Sequence, residues 1–114
     1  MLVTDAMSPV GTDMKQFRLL GKIVEVSDGV CRDRDGTLAG TALDMVAAVR
    51  NMMRITGVAL QDAVKMASAS PASFLRIFDQ TGTIDVGKRA DFVVADDDLR
   101  VAMTWVGGQL VYEA

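Results

Sequence analysis

The strongest constraint on this chain is a change of hydrophobic period at Thr41. Before it, short apolar runs are cut by Gly21, by Asp28-Gly29 and by Asp35-Gly36, the punctuation of antiparallel hairpins. After it, Ala42, Val46, Val49 and Met53 recur at four- and three-residue steps and so share one helical face. From about residue 79 the pattern returns to strands. A chain that switches period twice is neither a helical bundle nor an all-β sandwich, and an α+β fold is expected. Half of the 114 residues are hydrophobic but only 5% are aromatic, so the core must be built from Val, Leu, Ala and eight Met.

The elements follow in order. Leu2 to Thr4 read as a first strand ending at Asp5, with Pro9 and Gly11 breaking the chain soon after. Phe17 and Leu19 belong to a second strand, Gly21-Lys22 to a turn, and Ile23, Val24 and Val26 to a third strand. Asp28-Gly29 turns the chain into a short strand at Val30 and Cys31. Thr41 with Asp44 resembles a capping box at the start of a helix, and Gly57 ends it as a C′ residue. Leu60, Ala63, Val64 and Ala67 form the inner face of a second helix that stops at Ser70-Pro71. Ser70 then caps a short helix running to about Ile77. The tail reads as strands at Phe92–Ala95, Val101–Val106 and Gln109–Tyr112, the last two joined by Gly107-Gly108.

Composition narrows the chemistry. The chain contains no histidine, which removes an imidazole base and any Ser-His-Asp or Cys-His nucleophile. With Cys31 as its one cysteine it offers no ordinary zinc site and no disulfide framework, and a reducing cytoplasm is expected. Cys31 reads as a small buried hydrophobe. A net charge of −3 argues against nucleic acid or anionic membrane as the main partner, and no segment approaches the roughly 20 apolar residues of a membrane span. Asp28, Asp33 and Asp35 lack the calcium-loop pattern and read as a solvated turn, as do Asp96, Asp97 and Asp98. Lys88 and Arg89 read as solvated turn residues, and Met45, Met52, Met53 and Met66 as core filler. Asp5 stands at the carboxyl end of its strand, where parallel α/β folds place chemistry. From its position alone it is either a reactive acid or a turn former.

Four segments carry a resemblance. LVTDAMSPVG, GTLAGTALDMVAAVRNMM, AVKMASASPASFL and GTIDVGKRADFVVAD resemble, in that order, the C-terminal part of the N-acetylglucosamine-6-phosphate deacetylase family of the amidohydrolase superfamily. The pairing of TDAM with DGTLAG is the specific element, because GxIxxGxxAD closes many amidohydrolases. The resemblance spans the whole chain but only about the last third of a complete enzyme of that family. It implies hydrolysis of an acetamide to an amino-sugar phosphate and acetate. Asp5 is implied as the general base on a metal-activated water and as the acid that protonates the departing amine. Leu38, Ala39 and Gly40 are implied to lie against the sugar, largely through backbone, and the same loop leads into the Thr41 cap.

The implied divalent metal, of the zinc or iron class, takes its glutamate and histidine ligands from barrel strands absent from these residues. The isolated chain is therefore expected to be inactive. The implied fold is an α+β fragment: the last strand and closing helices of an amidohydrolase TIM barrel, with hairpins, over 1–78, and C-terminal β-sandwich strands over 79–114. In isolation the two are expected to form one compact unit. Met1 at the start of the last barrel strand is expected to mark a truncated reading frame or a cut in a longer chain. Partners implied are the missing N-terminal barrel segment, an amino-sugar phosphate and further copies of the chain. Two rival readings stand beside this one: a non-catalytic, self-associating α+β domain, and a piece of another amidohydrolase with a different N-acyl substrate.

Overall fold

The computed structural model describes all residues, 1–114, as seven strands and three helices. β1 (Gln16–Leu19), β2 (Lys22–Ser27), β3 (Val30–Asp33) and β4 (Leu38–Thr41) form one antiparallel meander in the order β1-β2-β3-β4. Then come α1 (Met45–Thr56), α2 (Leu60–Ala67) and α3 (Ala69–Phe74). β5 (Phe92–Ala95), β6 (Val101–Val106) and β7 (Gln109–Glu113) make a second antiparallel sheet in the order β5-β6-β7. The α+β expectation holds at this level.

Contacts divide the chain into two compact units. The first comprises Val3–Ala48 and contains the four-stranded meander and the start of α1. Its tight turns place positive φ on consecutive residues, Leu20 and Gly21 (48° and 81°) and Asp28 and Gly29 (51° and 76°). Two residues with positive φ match the right-handed twist of the strands they join. The first turn is therefore Leu20-Gly21, and Lys22 already belongs to β2, one residue away from the sequence reading. Val24 and Cys31, at 1% and 0% exposure, are the centre of this unit's core. Their strands pair Val26 with Cys31 and Cys31 with Gly40.

The other unit comprises Met1–Leu2 and Val49–Ala114. Ala63 and Ala72 are its buried side chains on α2 and α3. Gly57, at φ 73°, donates its N–H to the Met53 carbonyl and ends α1 as expected. Gly82 is packed so closely that an added Cβ would lie 2.7 Å from Ala72 Cβ. In the second sheet Phe92 stacks on its cross-strand partner Trp105, with ring centroids 5.7 Å apart. The β6–β7 turn is Gly107-Gly108, both at positive φ, as the sequence predicts.

Four expectations change. Leu2–Thr4 form no strand: the only β pairing nearby is one isolated parallel bridge further on, Ala6 with Thr41, and a single bridge is not a ladder. Leu38–Thr41, read as a loop, is a strand because β3 pairs with it across a bulge at Cys31/Arg32. The cap of α1 is Asp44, whose Oδ1 accepts the Ala47 N–H at 2.6 Å, so the helix starts four residues after Thr41. Ser68 precedes α3, which ends at Phe74, and Pro71 sits inside the first turn, where its missing N–H costs no hydrogen bond.

Candidate active site

The site is built where the segment around Asp5 meets β4, all within the Val3–Ala48 unit. Thr41 is the joint. Its N–H donates to the Asp5 carbonyl at 2.9 Å, and its carbonyl accepts the Met7 N–H at 2.8 Å. Its hydroxyl donates to the Thr4 carbonyl at 2.6 Å and accepts the Leu43 N–H at 3.1 Å. Two sequence motifs more than thirty residues apart, TDAM and LAG, are thereby held side by side.

Asp5 is exposed and adopts φ 51°. Aspartate enters this left-handed region more readily than most residues, because its short polar side chain can bond locally. Gly40 next to Thr41 is buried at φ +147°, and a Cβ there would fall 2.5 Å from Met7 Cγ and 2.8 Å from the Asp5 carbonyl oxygen. Only glycine permits that approach. Ala39 is half-buried, and Leu38 is 57% exposed, an unusual amount for a leucine in a strand. The structure thus sets the backbone of Asp5 against Gly40 and Thr41, at the end of the strand that also carries Leu38 and Ala39.

Cys31 lies beneath this joint, opposite Gly40 in the β3–β4 register. Burial, and after it the Asp5 charge, pushes its thiol pKa up. The thiol keeps its proton and is inert as a nucleophile, in agreement with a buried hydrophobe.

The other charged groups are occupied elsewhere. Asp33 Oδ1 accepts the N–H groups of Asp35 and Thr37, while Oδ2 pairs with Lys22 Nζ at 3.0 Å. The Lys22 hydrogen bond, and then the Thr37 N–H, hold the Asp33 carboxyl below its usual range. Asp96 Oδ1 accepts the Arg100 N–H and organises the loop before β6. Lys88 is not a solvated turn residue: its side chain is only 11% exposed. Its ammonium stands 3.7 Å from the Phe78 ring centre and donates to Thr83 Oγ1 at 2.6 Å. Met45 is exposed at 39%, so it is not core filler. No three His, Cys, Asp or Glu side chains gather as a ligand set, and the lone thiol holds its proton. A divalent metal does not fit the residues of this chain.

The Thr41 joint and Asp91 both escaped the sequence reading. Asp91, the last residue of GKRAD, accepts the Gly107 N–H at 2.7 Å and pairs with Arg89 at 2.7 Å. It thereby fixes the β6–β7 turn. The signal for it was an acid directly before a strand; its partner sixteen residues on was not visible.

Comparison with known proteins places this arrangement in a family. The Amidohydrolase family model matches residues 2–111. N-acetylgalactosamine-6-phosphate deacetylase of Shewanella sp. (strain ANA-3) is 47% identical over 100% of this chain and 29% of that protein. N-acetylglucosamine-6-phosphate deacetylase of Vibrio furnissii is 38% identical over 99% of this chain and 28% of that protein. The crystal structure of N-acetylglucosamine-6-phosphate deacetylase from Pasteurella multocida superposes with a TM-score of 0.90 at 36% identity. It covers 95% of this chain and 28% of that one. The chain therefore spans less than a third of the length of these three relatives. With a match over nearly all its residues and the same fold at this identity, the chain belongs to the amidohydrolase family.

Proposed function

We propose that these residues are the C-terminal portion of a deacetylase acting on an N-acetylhexosamine 6-phosphate, yielding the amino-sugar phosphate and acetate. Residues 1–78 then close the barrel and 79–114 join the small β-sandwich beside it. Asp5 is the proton-transfer group. Its carboxylate takes a proton from the water that attacks the acetamide carbonyl, and the C–O bond forms. It then delivers a proton to the amine nitrogen as the C–N bond breaks, so the leaving group departs neutral. Leu38, Ala39 and Gly40 line the sugar side, where an exposed leucine and a glycine-edged backbone offer an apolar contact and close approach. The divalent metal that the family implies would be held by residues outside these 114.

The observation that carries this reading is the Ala6–Thr41 bridge, which sets the acid beside the proposed sugar-contacting strand. Two substrates compete. N-acetylglucosamine 6-phosphate is the substrate the motifs imply, while the higher identity of the relative named for galactosamine favours its C4 epimer. Assay of the complete enzyme carrying this segment with both sugar phosphates, following acetate release, decides between them. Release from neither would reject the function proposed.

A further inference from the structure

We propose that Thr41 is the positioning residue for Asp5 and couples the acid to the sugar-contacting strand. The inference rests on the deacetylase reading above and adds a residue to it. Asp5 sits at a positive φ that an L side chain adopts at some cost, so neighbouring structure must hold it there. Thr41 is its main hydrogen-bonding neighbour. The Thr41 hydroxyl binds the carbonyl before Asp5, its N–H binds the carbonyl of Asp5, and its own carbonyl binds Met7 beyond. The peptide units on both sides of the acid are thus tied to one residue. That residue directly follows Leu38, Ala39 and Gly40 in β4. The 2.6 Å hydroxyl bond is the side-chain part of this clamp, and it is the part mutation can remove. The Thr41 hydroxyl is bonded to the Thr4 carbonyl and to the Leu43 N–H, not to the acid's carboxylate, so its route to the reaction is the backbone that holds Asp5.

The test is a double-mutant cycle in the complete enzyme. Thr41→Val keeps the side-chain shape and deletes the hydroxyl. A slack of even about 1 Å at a reacting group costs on the order of 100-fold in rate, so kcat should fall by about 10-fold to 100-fold. KM should move by less than about threefold. Thr41→Ser, which restores the donor, should return kcat to near the parent value. In an Asp5→Asn background Thr41→Val should lower kcat by no more than about twofold, because there is no acid left to position. A merely structural Thr41 would instead lose activity in both backgrounds, and that additive result overturns the proposal. So does unchanged kcat in Thr41→Val. If Thr41→Val does not fold, Thr41→Cys against Thr41→Ser makes the same comparison with a weak donor in place of a strong one. Equal kcat in those two variants overturns the proposal. A parent enzyme that releases no acetate rejects the deacetylase reading and this proposal with it. An active parent with an additive cycle rejects only the role of Thr41.

Discussion

Asp5 combines an exposed carboxylate with a left-handed backbone, and asparagine is the substitution best suited to that pairing. Asn tolerates the left-handed region as Asp does, so Asp5→Asn keeps the backbone and removes only the proton acceptor. In the complete enzyme kcat should fall by on the order of 10² to 10⁴, with substrate affinity far less affected. A kcat within a few-fold of the parent would leave Asp5 as a turn residue. Gly40 offers a second test at this scale. Its Cβ would meet both a flexible side chain and a fixed carbonyl oxygen, whereas a Cβ on Gly29 would meet nothing within 4 Å. Gly40→Ala should destabilise the chain by about 2 kcal/mol or more through overpacking. Gly29→Ala carries only its positive φ and should cost about 1 kcal/mol. Denaturant melts of the two variants give the comparison, and equal losses would show that contact with the Asp5 segment is not tight.

Among the elements, the four-stranded meander depends on the turn that Asp33 organises between β3 and β4. Its carboxylate accepts two turn N–H groups and the Lys22 ammonium, and each interaction favours the ionised form. A carboxyl whose folded pKa lies below its unfolded value stabilises the fold above the unfolded pKa. That contribution is lost as pH falls through the depressed folded pKa. Asp33→Asn should therefore be less stable than the parent near neutrality, with the difference shrinking to nothing on strong acidification. A difference that stayed constant with pH would mean that charge plays no part. The Asp28-Gly29 turn after β2 was legible in full, whereas the turn before β2 was read one residue late, because Gly21 occupies its second position and not its first. The partner of β4 was not legible, since LAGT has no alternation and its pairing is decided by β3.

At the scale of the whole molecule, the buried apolar set is small: Val24, Cys31, Ala48, Val49, Ala63 and Ala72. Large side chains stand in solvent, among them Phe74 at 72%, Ile84 at 84% and Val86 at 107%. The second sheet leaves Val93, Val111 and Tyr112 at least half exposed, and a three-stranded sheet is stable only with its apolar face covered. Leu60 and Val64, on the apolar side of α2, are also exposed, whereas Val49 on α1 is buried. Such surfaces bind other chains. The isolated chain should associate at low micromolar concentration, and light scattering that returned a monodisperse monomer with cooperative unfolding would contradict this. It should also release no acetate from either sugar phosphate with zinc, manganese or iron(II) added, because it gathers no ligand set of its own. Robust turnover, or turnover surviving Asp5→Asn, would show that assignment to be wrong.

Local physics in the sequence was enough to determine the α+β order, the turns at Asp28-Gly29 and Gly107-Gly108, the end of α1 and the strands of the tail. Each is set by residues within a few positions of one another. The motifs that carry the family resemblance were legible for the same reason. Tertiary structure decided whatever depends on a distant partner. Residues 2–4 form no strand because the only bridge near them is at Ala6 and no ladder extends from it, while Leu38–Thr41 become a strand because β3 lies beside them. Lys88 leaves solvent because Phe78 and Thr83 receive its ammonium. The Asp5 segment is held to β4 by hydrogen bonds from Thr41 to the Asp5 and Thr4 carbonyls that span thirty-six and thirty-seven positions of chain, and no local pattern records an interaction of that range.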